Sequence, residues 1–482
     1  MMPHLYSKHI KLVYVAVMAT MLAGCQIWPD YMRPKVAVPA QYSEPEQGST
    51  GQASSQVASD WWKLYQDQTL NDLVEKALQN NTDIKLAVAR IEEADAVMRE
   101  VGAALFPRVD LDAAGTRSRV TEAGAFPAFG DNPRNNYSVQ LGTSFEIDFW
   151  GKLRNAKESA RAQALSTRYA KDTVALSLSS LVVSNYLVLR SLESQIAVAQ
   201  DNLKSRDESL ALTKRRLDGG VASALDVHQA EVASANLTAQ LAELTRLRAL
   251  SMHQLAVLTG VLDLNVAMAD IKTLPIPPTP PAGLPSSLLE ARPDVRQAEQ
   301  TMIAADANIG VAKAALYPTI SLTASLGGES LELGDILKSA ARIWTGGLSL
   351  NLPIFDSGRL NSRVDQASAK QKQALASYEG AIQNAFREVN DALVNLRQNS
   401  EREAALNRGQ EAAKKALEVS ENRYKSGYSA YLDVLDAQRV YNDTALAFIQ
   451  SRQARLVATV ELFKALGGGW KADNKEQAKS GS

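Results

Sequence analysis

From Lys152 to Asp218 the chain contains neither glycine nor proline, and from Val221 to Thr259 there is again none. With nothing to interrupt the backbone ladder, these runs predict helices of about 100 Å and about 58 Å at 1.5 Å rise per residue, longer than the helices of an ordinary globular domain. Such helices cannot bury their apolar stripes in a rounded core and must lie side by side. The spacing agrees. Ala230, Ala233, Leu237, Leu241 and Leu244, and later Val434, Ala437, Tyr441, Ala445 and Phe448, recur at steps of three and four, as in coiled-coil seams. Many contact positions are Ala or Ser, which allows close approach and suits a wall one helix thick.

The chain is also an internal repeat. A shift of about 207 to 211 residues lays one half on the other. Leu105-Phe106-Pro107 recurs as Leu316-Tyr317-Pro318, and Gly151-Lys152-Leu153 as Gly358-Arg359-Leu360. Arg216-Leu217 and Gly220, followed by Leu225-Asp226-Val227, recur as Arg423-Tyr424 and Gly427, followed by Leu432-Asp433-Val434. Each half therefore reads helix, two strands, long helix, turn, helix. The second half repeats the long helices at about 359–426 and 428–466, with Gly380 and Gly409 as the places where the longer one could bend or break. Between the halves, Pro275-Ile276-Pro277-Pro278-Thr279-Pro280-Pro281 cannot be helix and reads as a stiff linker.

Four short segments change period from 3.6 to 2. Tyr137, Val139, Leu141, Thr143, Phe145, Ile147 and Phe149 alternate with Ser138, Gln140, Gly142, Ser144, Glu146 and Asp148. Strands are expected at about 108–118, 137–149, 319–327 and 344–354, with the links Thr121 to Arg134 and Gly328 to Arg342 as loops. Their length suits tilted outer-membrane strands of about 9–11 residues, although four amphipathic strands of a soluble sheet show the same alternation. If the strands span a membrane, one chain cannot close a barrel, because an open edge in lipid leaves backbone groups unpaired. Two chains would supply eight strands with a bore filled by side chains; three would supply twelve and leave a passage.

Composition narrows the function. Lys plus Arg number 52 against 53 Asp plus Glu, so no nucleic-acid partner is indicated. The single cysteine, Cys25, permits neither an intrachain disulfide nor a cysteine-rich zinc site. His228 and His253, the only histidines beyond the N-terminal segment, read as helix-surface residues, so no metal is expected. No G-x-S-x-G, P-loop or H-E-x-x-H occurs, so the chain is not expected to be an enzyme. At the N-terminus, His4, Lys8, His9 and Lys11 precede the apolar run Leu12 to Leu22, too short to span a bilayer and laid out like a secretory signal. It ends Leu22-Ala23-Gly24-Cys25, which resembles a bacterial lipobox. On that resemblance residues 1–24 are a signal peptide and Cys25 carries diacylglycerol and palmitate, with no other cofactor. Gln26 after the cysteine favours the outer membrane over the inner, and a plain signal peptide with a chance cysteine is the other reading.

Several motifs then resemble one family. Pro29-Asp30-Tyr31 with Arg33-Pro34, Asp60-Trp61-Trp62, Arg292-Pro293-Asp294, Leu352-Pro353-Ile354-Phe355-Asp356 with Gly358-Arg359-Leu360, and Leu435-Asp436-Ala437-Gln438-Arg439 resemble the TolC-like outer-membrane factor lipoproteins of RND-type efflux systems. The resemblance implies an α+β fold: a homotrimer whose four transmembrane β-strands per chain form a shared 12-stranded β-barrel, continued by a long α-helical coiled-coil periplasmic tunnel. It divides the chain into a signal peptide (1–24), a lipid-anchored N-terminal segment (25–67), a first repeat (68–270), a Pro-rich linker (271–285), a second repeat (286–469) and a polar C-terminal tail (470–482). The implied function is the passive exit duct of a tripartite pump, partnered by a periplasmic adaptor and, indirectly or at the tips, an inner-membrane RND transporter. The exit channel of a peptide or protein secretion system and a lipid-anchored periplasmic scaffold are the alternatives.

The candidate functional residues lie at the two helical hairpin tips. Lys214, Arg215 and Arg216 occupy a helix's last turn, where cations meet its negative end; Gly219 and Gly220 suit the turn, and Ser223 with Asp226 three residues on has the form of a capping box. By resemblance, Gly220, Ser223 and Leu225 in one hairpin and Gly427, Ser429 and Leu432 in the other dock the adaptor. Asp433, Asp436 and Asp443 fall on one helical stripe. Resemblance makes Leu432, Asp433, Asp436 and Tyr424 gate or latch residues of the tunnel end, with Asp226 their partner across the hairpins. Ser429 stands where some relatives carry an arginine, which removes the salt bridge of that latch.

Overall fold

In the computed structural model the chain forms seven α-helices and four strands among the described residues, which are 31–34, 36, 39, 42, 57–123, 130–279 and 288–471. Cys25, the signal segment and the polar tail beyond residue 471 lie outside them. In order the elements are α1 (Gln68–Asn80), α2 (Thr82–Ala103), β1 (Arg108–Ser118), β2 (Arg134–Ile147), α3 (Lys152–Asp218) and α4 (Ala224–Thr259), then α5 (Pro293–Ala314), β3 (Thr319–Ser330), β4 (Arg342–Asn351), α6 (Arg359–Lys425) and α7 (Tyr431–Ala465). A four-residue helical turn, Leu288–Ala291, precedes α5. The described residues fall into two compact units, one holding Arg90–Thr167 and Gln297–Tyr378, the other most of the remainder.

The first unit carries the sheet. Its order is β1-β2-β3-β4, every neighbouring pair antiparallel. Register places Leu111 opposite Leu141, Leu141 opposite Leu326 and Leu326 opposite Trp344, one apolar row across all four strands. This face is bare: Leu111 is 69% exposed, Leu326 62% and Trp344 79%. β2 begins at Arg134, three residues ahead of the expected start, and β3 runs on through Gly328 to Ser330, so the second loop is shorter than expected. The repeated motifs have local causes. Asp148 accepts from the backbone N–H groups of Leu153 and Arg154, each at 2.9 Å, and Asp356 from those of Gly358 and Leu360 at 3.0 and 2.9 Å. Each carboxylate thus satisfies orphan donors at the start of a long helix and meets its positive end.

The second unit is helical. Trp61, Tyr65, Leu70 and Val74 pack with Val182, Tyr186 and Leu187 of α3, Leu255 of α4, and Ile449, Leu456 and Phe463 of α7. Trp61 stacks on Phe463 at 5.3 Å, and Tyr65 Oη donates to the Leu456 carbonyl at 3.2 Å. The stretch from Trp61 to Tyr65, assigned by sequence to an anchoring segment, is therefore core. The proline-rich linker needs a similar correction over its described part, 271–279. Ile271 and Leu274 are buried in the same core, and the Leu274 carbonyl accepts from Arg452 at 2.7 Å.

Buried charges hold these straps. Glu193 pairs with Arg190 at 2.7 Å and Arg248 at 2.9 Å while accepting from the Ala269 N–H, and Arg190 donates to the Ala267 carbonyl at 2.6 Å. Burial alone lowers the Arg190 pKa, and Glu193 with Tyr186 more than offsets it. Arg292 of the Arg-Pro-Asp motif pairs with Asp294 and Glu388 at 2.6 and 2.7 Å and donates to the Ala465 carbonyl. Gly467, Gly468 and Gly469 follow α7, all at positive φ. A Cβ on them would come within 2.1 Å of Ala291, 2.3 Å of Leu176 and 2.3 Å of Ala58, so only glycine threads this path. Helix α6 passes Gly380 and Gly409 without a break, as one helix over the expected range; both positions are open, so the missing side chains cost no packing.

Candidate functional site: two unequal hairpin tips

Both long hairpins turn by the same device. At the first tip Val221 N–H donates to Arg216 O and Gly220 N–H to Leu217 O, both at 2.9 Å; at the second Tyr428 N–H donates to Arg423 O at 2.8 Å and Gly427 N–H to Tyr424 O at 3.0 Å. These are the two bonds of a Schellman motif, with Gly220 and Gly427 at φ of 74° and 79° supplying the left-handed residue. Each tip then presents the same apolar pair: Val221 (77% exposed) and Leu225 (64%) in one, Tyr428 (79%) and Leu432 (57%) in the other. Val221 and Tyr428 were not singled out from the sequence. They occupy equivalent positions at the repeat offset of about 207, which was the available signal.

The return helices start differently. α4 has a full capping box: Ser223 Oγ accepts from Asp226 N–H at 3.2 Å, and Asp226 Oδ2 accepts from Ser223 N–H at 3.0 Å. Asp226 is thus occupied within its own hairpin and makes no ion pair to the other among the described residues, although its charge is felt by Tyr431 of the second hairpin. In α7 the N-cap is Ala430, without a side-chain cap, and Asp433, the equivalent of Asp226, keeps both carboxylate oxygens free of such a bond. The buried Ser429 Oγ has no partner among the described residues.

Tyr424 is almost wholly buried, not displayed. It lies 5.6 Å from Tyr431, packs with Ala230 and Val434, and receives the Arg216 guanidinium on its face at 4.3 Å. Arg216 also donates to the Tyr424 and Lys425 carbonyls at 3.3 and 3.4 Å, so a cation of the first tip caps the end of α6. Burial raises the Tyr431 pKa, a rise that Arg206 opposes and Tyr424 and Asp226 reinforce. Burial lowers that of Arg206, offset in part by Tyr431 and Asp443. Arg206 and Tyr431 were missed as site residues, and the reach of Arg216 to Tyr424 was not foreseen, because Arg206 and Arg216 lie far along the chain from their partners in the second hairpin.

The expected aspartate stripe is split. Asp436 and Asp443 line a hollow of about 710 Å³ with Arg206, Val232, Leu432 and Arg439, and Asp436 pairs with Arg439 at 2.8 Å. Asp433 instead lines a hollow of about 490 Å³ with Lys415, Arg423 and Ser429. In the first unit the strand ends carry a second unanticipated feature. Phe149 meets Trp150 edge-on at 4.7 Å, Trp150 stacks on Tyr317 at 4.9 Å, and Phe106 and Phe355 stand exposed where strand and helix meet. Aromatic residues at this level, bordering an exposed apolar band, are what a membrane–water boundary selects.

With this geometry established, the relatives are informative. The model of the outer membrane efflux protein family matches residues 73–261 and 284–468. The chain is 34% identical over 472 residues to the probable efflux pump outer membrane protein TtgC of Pseudomonas putida, covering 95% of this chain and 96% of that protein. It is 31% identical over 458 residues to the cation efflux system protein CusC of Escherichia coli, covering 94% and 97%. Among solved structures it superimposes on the outer membrane channel CmeC of Campylobacter jejuni with a TM-score of 0.88 at 25% identity, over 95% of this chain and 98% of that one. On the open MtrE outer membrane channel of Neisseria gonorrhoeae the TM-score is 0.84 at 32% identity, over 94% and 100%. The chain belongs to the outer membrane efflux protein family, a family of channels. It is an outer-membrane exit duct of the efflux type.

Proposed function

We propose that three copies close their four-stranded sheets into a 12-stranded barrel and that the duct serves a tripartite RND-type pump. The observation that carries this is the sheet: an exposed apolar face and, in the single chain, unpaired outer edges on β1 and β4. Neither is tolerable in lipid for one chain, and three sheets joined edge to edge satisfy both requirements while leaving an open bore. Conduction is then passive, with no catalysis and no cofactor beyond the diacylglycerol and palmitate on Cys25. Relatives named for antibiotic and toluene efflux support small toxic organic compounds as cargo.

At the helical end, Gly220, Ser223, Leu225, Gly427, Ser429 and Leu432 dock the adaptor through the two exposed apolar pairs, and the RND transporter is reached indirectly or at these tips. Leu432, Asp433 and Asp436 form the gate, with Tyr424 and Asp226 stabilising the tips behind it. Asp433→Ala with Asp436→Ala should loosen the closed state and admit large antibiotics such as vancomycin; unchanged susceptibility at normal expression would count against the gate. The test of the whole reading is the native mass of the detergent-extracted, lipid-modified protein. Three chain masses plus three anchors support the conduit. A monomer that becomes soluble once its anchor is cleaved returns the protein to a periplasmic scaffold.

A further inference from the structure

Within the first unit a trough of about 1330 Å³ runs along one side of α2, α3, α5 and α6. All four helices line it, so it is a single continuous face. Its floor is mostly Ala, Ser, Thr, Asn and Gln, and its charged side chains are Arg90, Glu93, Lys152, Arg363 and Lys370. Lys152 identifies which face this is. Its Nζ lies 3.0 Å from Oε1 of Glu146, and Glu146 belongs to the polar set of β2, on the side away from the exposed apolar row. The trough therefore continues the polar face of the sheet, the face that lines the bore if the sheets close as proposed above.

The charges of that face are unbalanced. Lys152 is neutralised by Glu146, but Arg90, Arg363 and Lys370 form no ion pair among the described residues, and they face one carboxylate, Glu93. Arg363 and Lys370 are one heptad apart on α6, so both project to the same side, and Arg90 and Glu93 are one turn apart on α2. An exposed surface cation costs little, and a scattered one would mean little. Three unpaired cations on one concave wall bring their potentials to bear on the same groove, where low-dielectric walls would reduce screening once the groove is enclosed in a trimer.

We infer that this trough biases the duct toward anionic solutes: it attracts small organic anions bearing carboxylate, sulfonate or phosphate groups and disfavours free cations in the section next to the sheet. This rests on the trimeric-duct reading. In a closed trimer the three cations of each wall become a ring, and charged rings of this kind set ion preference by field and not by chemistry.

The experiment is the reversal potential of the full-length, lipid-modified protein in planar bilayers, with a KCl gradient whose dilute side is about 0.1 M so that screening stays near 10 Å. The triple variant Arg90→Gln, Arg363→Gln, Lys370→Gln should lower the chloride-to-potassium permeability ratio by about threefold. Glu93→Gln should move it the other way, and this single exposed change guards against the triple variant failing to assemble. A ratio that is the same in wild type and both variants, or that shifts with opposite sign in channels of unaltered conductance, overturns the inference. A wild-type protein that is silent in the bilayer and lighter than three chains overturns the duct reading instead, and takes the charge argument with it.

Discussion

The two hairpin tips descend from one repeat and share their Schellman turns, their exposed apolar pairs and an aspartate three residues into the return helix, yet only the first closes a capping box. Replacing the cap serine by Ala430 leaves Asp433 with nothing local to bind. The carboxylate that stabilises one tip is thereby freed in the other to line a hollow with Lys415 and Arg423. What was lost as helix stability is made up by packing: the second tip is held by the buried Tyr424 and Tyr431 and by Arg216 reaching over from the first. One tip is fixed by its own turn, the other by its neighbours.

The sharpest way to break this contrast is Tyr431→Ala. Emptying a buried aromatic site costs about 3–4 kcal/mol, and the loss should be local. Hydrogen exchange should show lost protection from Tyr424 to Leu435 with little change around Ser223, and equal loosening of both tips would refute it. Next comes exchange of the caps. Ser223→Ala should destabilise the first tip by about 1 kcal/mol, while Ala430→Ser should stabilise the second by a similar amount by engaging Asp433, both read from amide protection at the helix start. If Ala430→Ser also increases vancomycin entry, the free aspartate belongs to the gate.

Arg216→Met should cost about 0.5–1 kcal/mol through the lost contact with the Tyr424 ring, and its effect should appear at the second tip although the substitution is in the first. The smallest effect is expected at Lys214, which lies 2.9 Å from Glu231 on an exposed surface. Lys214, with His228, holds the Glu231 carboxyl below its usual range. Any stabilisation is therefore present at neutral pH and lost as pH falls through that depressed value. For so exposed a pair, Lys214→Met should leave the melting temperature unchanged, and a clear drop at neutral pH that vanishes in acid would show the pair to matter more than its exposure implies.

How far the sequence revealed these features depended on whether the cause was local. α3 spans the glycine- and proline-free run from Lys152 to Asp218, because helix continuity is decided by each residue's own backbone. The strand cores followed from alternation, and the Ser223 cap from its spacing to Asp226. What escaped depended on distant partners. Residues 271–279 looked like a linker because proline excludes helix, but the carbonyl of Leu274 is claimed by Arg452, far along the chain. The Trp61–Tyr65 stretch is core only because α7 returns over it, and Arg216 shows its purpose only when the second tip is beside it. The aspartates looked like one stripe on an isolated helix, and the neighbouring helices divide them between two hollows.

The glycine run after α7 imposes an order on the molecule's assembly. Gly467, Gly468 and Gly469 thread between Ala58, Leu176 and Ala291, each of which is synthesised before them. The seam they fill must therefore stay open until both hairpins and the sheet have been made, when these glycines are drawn in like the last stitch of a hem. A chain cut short before Gly467 would carry both hairpins and the sheet and still lack the fastening that joins Ala58, Leu176 and Ala291.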